Sequence, residues 1–124
     1  AVKTREDAPA SGWTYDSSKW LIGYAINAST GELESNAGSA VYDEWIKKPT
    51  SVVLTVTTTT FFRVRGYDEN KEFANAYNSV TANSSNNFMA TVDTTHEYVK
   101  VIVACDAIKT KDINTIVSNL EVNF

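Results

Sequence analysis

The residues best suited to chemistry in this chain are basic and aromatic, and they alternate. In Phe62-Arg63-Val64-Arg65-Gly66-Tyr67 one apolar set interleaves with a second set of Arg63, Arg65 and Tyr67. A strand sends successive side chains to opposite faces, so this spacing predicts a buried face and a polar, π-rich one. Tyr98-Val99-Lys100-Val101-Ile102-Val103 writes the same pattern, with Val99, Val101 and Val103 on its apolar side. If the two apolar sides share a core, then Arg63, Arg65, Tyr67, Tyr98 and Lys100 share the opposite surface. Guanidinium and ammonium groups beside aromatic rings suit a saccharide, whose C–H faces stack on rings and whose hydroxyl, phosphate or uronate oxygens accept hydrogen bonds. A solvated sheet face with cross-strand pairs is the plain alternative. Trp20, Tyr24, Tyr42 and Trp45 lie in short elements next to turns, where they would rim such a surface.

Other chemistries find little support. The acids Glu32, Glu34, Asp43 and Glu44 sit among turn residues, whereas glycoside hydrolysis needs two carboxyls across a cleft. The single cysteine, Cys105, ends an apolar run and reads as a small buried hydrophobe. The single histidine, His96, sits in a turn without the partners of a triad or zinc site. The sequence predicts a non-enzyme with no cofactor. A structural calcium would have to use oxygens of Asp68, Glu69 and Asn70, or of Asp106 and Asp112, which lack EF-hand spacing.

The elements that must position these groups are short strands. Lys19 to Asn27 reads as the first, with Gly23 marking a bulge; Ser29 to Glu32 is a turn and Asn36 to Ser39 a loop. Ala40 to Ile46 fits a short strand or one helical turn, ended by Pro49. Val52 to Val56 and Phe61 to Tyr67 are strands, and β-branched Thr57 to Thr60 make a tight two-residue turn between them unfavourable. Asp68 to Lys71 suits a hairpin loop, returning through Glu72 to Asn78 with Phe73 inward. Val80 to Asn87 reads as a polar loop, Phe88 to Val92 as a strand, and Lys109 to Asn114 as a charged connection with a helical turn. Leu120, Val122 and Phe124 alternate with polar residues in a last strand. Seven to nine short antiparallel strands without an amphipathic helix predict an all-β protein, a β-sandwich.

The 124 residues suffice for one domain that buries roughly two thirds of its unfolded surface without a disulfide or metal. Residues 1–11 are small, charged and proline-interrupted, and read as a disordered N-terminal end or as a linker to other subunits of a larger assembly, leaving 12–124 as the domain. A net charge of −4 disfavours nucleic acid as a partner, and no apolar run approaches the roughly 18 residues of a membrane span.

The order of these pieces resembles the jelly-roll carbohydrate-binding-like domains in tail, baseplate and neck proteins of phages that infect Gram-positive bacteria. The pieces that carry the likeness are Trp20 to Gly23, Thr30-Gly31, Tyr42 to Pro49, Phe62 to Phe73 and Tyr98 to Val103, spread over 13–124. The resemblance implies a jelly-roll-like sandwich, adhesion to a cell-surface polysaccharide, and a place in a virion tail or outside the cell. An accessory module of a secreted glycoside hydrolase belongs to the same class. A structural decoration or assembly domain of a virion is the rival reading.

Overall fold

A computed structural model of the chain describes residues 13–124; the expected linker over 1–11 lies outside the described residues. Ten strands form two antiparallel sheets. The chain order is β1 (Trp20–Ile26), β2 (Leu33–Tyr42), β3 (Ile46–Lys47), β4 (Ser51–Val56), β5 (Thr60–Tyr67), β6 (Phe73–Ala76), β7 (Val80–Ala82), β8 (Met89–Asp93), β9 (Tyr98–Ala104) and β10 (Val117–Asn123). The larger sheet runs β1-β2-β9-β5-β6, with β3 also pairing with β9 and β7 with β5; the smaller runs β10-β4-β8. The chain passes between sheets at β3–β4, β4–β5, β7–β8, β8–β9 and β9–β10. The result is an all-β sandwich of two antiparallel sheets.

Alternation explains the core. On β4, Val52, Leu54 and Val56 are buried while the residues between them are half-exposed. They meet Phe62, Val64, Val99, Val101 and Val103 of the larger sheet in one cluster, with Tyr42, Ile46 and Trp20 at its side. On β10 the buried positions are Val117, Leu120 and Val122, which breaks period two. The register supplies the reason: Val117 pairs with Val56 and Asn119 with Thr55, so Ser118 is an extra residue that re-phases the strand.

Several local readings change. Asn36 to Ser39 belongs to β2 and is no free loop, yet these four residues face Gly23 alone, because Ile22 pairs with Ala40 and Tyr24 with Ser35. The bulge expected at Gly23 is therefore a wide one. Ala40 to Ile46 resolves into the end of β2 and the start of β3, with no helical turn. Val80 to Ala82, expected within a loop, is β7 and pairs with Thr60 to Phe62. Phe73 does not point inward: it pairs with Tyr67 and shares the face opposite the core. β3 and β7 are two and three residues long, too short for a periodic pattern, and with them the count exceeds nine.

Beyond the bulge, the β1–β2 hairpin bends across the outer face of the larger sheet. Its tip, residues 24–35, lays Ala25 and Ile26 on Ile102 and Val41. Within the tip, the Asn27 side chain accepts hydrogen bonds from the amides of Ser29 and Thr30, and the Gly31 amide donates to the Asn27 carbonyl. Gly31 has φ +73°, and a Cβ there would sit 2.5 Å from the Phe73 Cβ. Only glycine fits both the left-handed backbone and that contact. Gly31→Val should therefore lower stability by about 2–4 kcal/mol through strain and a displaced hairpin. Urea unfolding measures this; a loss below about 0.5 kcal/mol, as for a neutral surface change, would mean that the tip is not clamped.

Candidate functional site

The central ladder decides which side chains share the outer face. Phe61 pairs with Ala104, Arg63 with Ile102, Arg65 with Lys100 and Tyr67 with Tyr98, while Phe62, Val64 and Gly66 oppose Val103, Val101 and Val99 on the core side. The five basic and aromatic residues singled out on these two strands do lie on one face. Their accessibility differs sharply, because the hairpin covers the middle of it.

Arg65 and Tyr67 lie under that cover. Arg65 is 7% exposed, and its Nε donates to the Ile26 carbonyl at 3.1 Å. Burial holds its pKa down, with repulsion from Arg63 adding to the effect. Tyr67 is 3% exposed and its hydroxyl donates to the Gly31 carbonyl at 2.8 Å. Burial pushes the Tyr67 hydroxyl up from 10.0 to about 12. These two residues fasten the hairpin and present nothing to a ligand. The expectation that they bind one is corrected on that ground.

Trp20 and Tyr42 are corrected as well. They pair across β1 and β2 and are 7% and 0% exposed. Their rings meet edge to face at 5.2 Å, joined by Tyr15 and Trp13. Trp20 Nε1 donates to the Tyr15 hydroxyl, and the Tyr42 hydroxyl accepts from the Asp16 amide. Burial raises the Tyr42 pKa. Both residues close one flank of the core, which is where large rings with a satisfied polar tip are most stable.

Two accessible stretches of the outer face are left. The first is an open cleft of about 410 Å³ lined by Asn36, Ser39, Thr59, Phe61, Arg63 and Lys109, with Asp106 at its edge. The four-residue bulge of β2 forms one wall. Phe61 is 44% exposed, and the Arg63 guanidinium lies 5.5 Å from its ring centre. Lys109 Nζ lies 3.4 Å from Asp106 Oδ1, the carboxylate being almost fully exposed. Cys105 lines the cleft and is half-buried, less enclosed than its apolar strand suggests. Phe61 is the residue that sequence reasoning passed over. The signal was present, since of two adjacent phenylalanines in a strand one must face away from the core.

The second stretch surrounds Trp45. Its ring stands edge-on to Tyr67 at 4.7 Å and to Tyr98 at 5.9 Å. Lys100 Nζ lies 4.4 Å from the Trp45 ring centre, and Lys71 reaches both the Trp45 and Tyr98 rings. Burial lowers the Lys100 pKa, Asp43 at 4.0 Å raises it, and Lys71 lowers it. Of the predicted residues, Trp45, Tyr98 and Lys100 thus come together here, and Arg63 stands apart in the cleft.

Two of the acids named for calcium, Asp68 and Asp112, organise turns. The Asp68 carboxylate accepts from the amides of Asn70 and Glu72, and that of Asp112 from the Asn114 amide. Among the described residues no three His, Cys, Asp or Glu side chains converge as a metal site. Comparisons with protein-family models, curated proteins and solved structures found no match to this chain.

Two outcomes test this assignment. Arg65→Ala removes a buried charge-assisted bond and leaves the Ile26 carbonyl unpaired, so stability should fall by about 1.5–3 kcal/mol in urea unfolding; an unchanged midpoint would return Arg65 to the surface. For Tyr67 the fold favours the neutral phenol. Its contribution is complete below pH 10 and is lost as pH rises towards 12, where the buried hydroxyl ionises. The loss amounts to about 2–3 kcal/mol. Stability followed through that window should drop more steeply in the native protein than in Tyr67→Phe; equal slopes would refute the assignment.

Proposed function

We propose that this chain is a non-catalytic carbohydrate-binding module that attaches a phage tail structure to the cell-wall saccharide of its host. The observation that carries the reading is the Phe61–Arg63 cleft. It combines an exposed ring with a guanidinium, an amide from Asn36 and a hydroxyl from Thr59. A sugar uses such a surface in two ways at once: its C–H face covers the ring, and its hydroxyls exchange bonds with the polar groups around it. The cleft is open and shallow, as suits a chain of saccharide units that passes across a surface. Among the described residues Asp106 is the one carboxylate that lines it, whereas hydrolysis asks for an opposed pair. The resemblance of the strand and turn motifs to phage carbohydrate-binding-like domains points the same way.

A second reading, an assembly domain of a virion, draws on the edge hairpin. Ile22 and Leu33 of β1 and β2 are 46% and 53% exposed at one end of the larger sheet. A neighbouring subunit would cover them.

Calorimetric titration with host cell-wall polysaccharide separates the two. Carbohydrate binding predicts saturable heat for the native chain and a loss of affinity of about tenfold or more in both Phe61→Ala and Arg63→Ala. Equal affinity in the two variants would remove the cleft from the account. No heat with any cell-wall polysaccharide, together with a sharp oligomer in light scattering, would favour assembly.

A further inference from the structure

We propose that Lys71, Lys100 and the rings of Trp45 and Tyr98 form a second binding site, specific for a phosphate group, on the opposite side of the β1–β2 hairpin from the cleft. The site begins with the β5–β6 turn. Asp68 organises it, accepting from the amides of Asn70 and Glu72 through its side chain and from the Lys71 amide through its carbonyl. This turn holds Lys71 at φ +63°, a left-handed conformation that glycine or asparagine adopts with less strain. A long cationic side chain at such a position is a departure that local stability does not explain. It carries the ammonium back over the sheet, 5.1 Å from the Tyr98 ring centre and 5.6 Å from that of Trp45.

There it meets a second ammonium. Lys100 Nζ lies on the same tryptophan at 4.4 Å. Two half-buried rings therefore hold two like charges, and repulsion by Lys71 is one of the influences that lower the Lys100 pKa. Among the described residues Asp43 is the carboxylate set against Lys100, at 4.0 Å and 67% exposed. Ring faces attract ammonium groups but leave their net charge intact, so the cluster retains an excess of positive charge that an anion relieves.

The donors indicate which anion. Lysines are compact point charges with rotatable N–H groups, which serve the tetrahedral oxygens of a phosphate, whereas a planar carboxylate is best met by an arginine fork. Arg65, the one arginine paired in register with Lys100, is buried under the hairpin and offers no fork here. The rings beside the ammoniums suit an apolar C–H surface carried next to that phosphate. Free phosphate and a phosphate on a polyol share this chemistry, and the experiment below separates them.

The test follows the Trp45 indole and the Tyr98 and Lys71 amides by NMR at low salt. Titrants are inorganic phosphate, glycerol 1-phosphate and glycerol, against chloride at matched ionic strength. Saturable shifts confined to these groups are expected with both phosphates, and not with chloride or glycerol; tighter binding of the glycerol ester would mark a polyol-borne phosphate. Lys71→Gly suits the left-handed backbone, so its melting temperature should hold or rise while phosphate affinity falls about tenfold or more. Asp43→Asn should tighten phosphate binding, and Phe61→Ala should leave it unchanged. Equal shifts with chloride, unaltered affinity in Lys71→Gly, or no gain in Asp43→Asn would each overturn the proposal. Because the probes contain no polysaccharide and the cleft variant is a control, this site and the carbohydrate reading stand or fall separately.

Discussion

The β5–β9 ladder is the constraint on which the rest of the molecule depends. Its register places Phe62 and Val64 opposite Val103 and Val101, and that single alignment gives the larger sheet a continuous apolar face for β4, β8 and β10 to cover. A slip of one residue would turn Arg63 and Arg65 into the core, where an unpaired charge costs several kcal/mol, on the order of a domain's whole stability. β9 also anchors β2 along one half of its free edge and β3 along the other. Trp45, in the link between those two strands, is thereby brought to the face that already carries Tyr67 and Tyr98.

That same register creates a difficulty on the outer face, and the β1–β2 hairpin resolves it. Ile102 and Arg65 both point outward, an aliphatic group and a charge in close company. The wide bulge opposite Gly23 lets the hairpin bend over them, so that Ile26 covers Ile102 with its side chain and accepts from Arg65 with its carbonyl. The buried guanidinium is tolerated because backbone carbonyls receive its donors and Glu34 attracts its charge. The cover has a functional consequence. It divides one broad sheet face into a cleft at the Phe61 end and an aromatic–lysine patch at the Tyr67 end.

Most of the fold was legible because period-two alternation is a local signal. β4, β5 and β9 each write it over six or more residues, and Asp68 marks the hairpin turn with a side chain that caps its own loop. What was not legible is contact at long range. Arg65 and Tyr67 stand in the same pattern as Arg63, and nothing near them in sequence says that residues 26 and 31 will lie on top. Trp20 and Tyr42 illustrate the same limit, since a ring near a turn fits a rim as well as a core, and only the packing of Trp13 and Tyr15 decides. Phe61 differs from these. Its outward direction follows from Phe62 facing inward, so local reasoning was sufficient to find it.

Net charge is a weak guide to what this surface can hold. The chain carries −4 overall, yet six of its eleven basic residues, Lys47, Arg63, Arg65, Lys71, Lys100 and Lys109, belong to the outer face or its cleft. At physiological salt an exposed charge is screened beyond roughly 8 Å, so acids elsewhere on the molecule contribute little to the potential above this sheet. The lysines that meet on Trp45 lie 4.4 and 5.6 Å from its ring centre, and partial burial of Lys100 weakens the screening of its charge. An argument from overall charge bears on partners that engage the whole surface, such as a long phosphate backbone wrapped around the domain, which a net negative charge disfavours. It does not extend to a ligand that touches a few residues. For such a ligand the relevant charge is that of the few groups it touches, and the sign of that local charge need not follow the net charge of the chain.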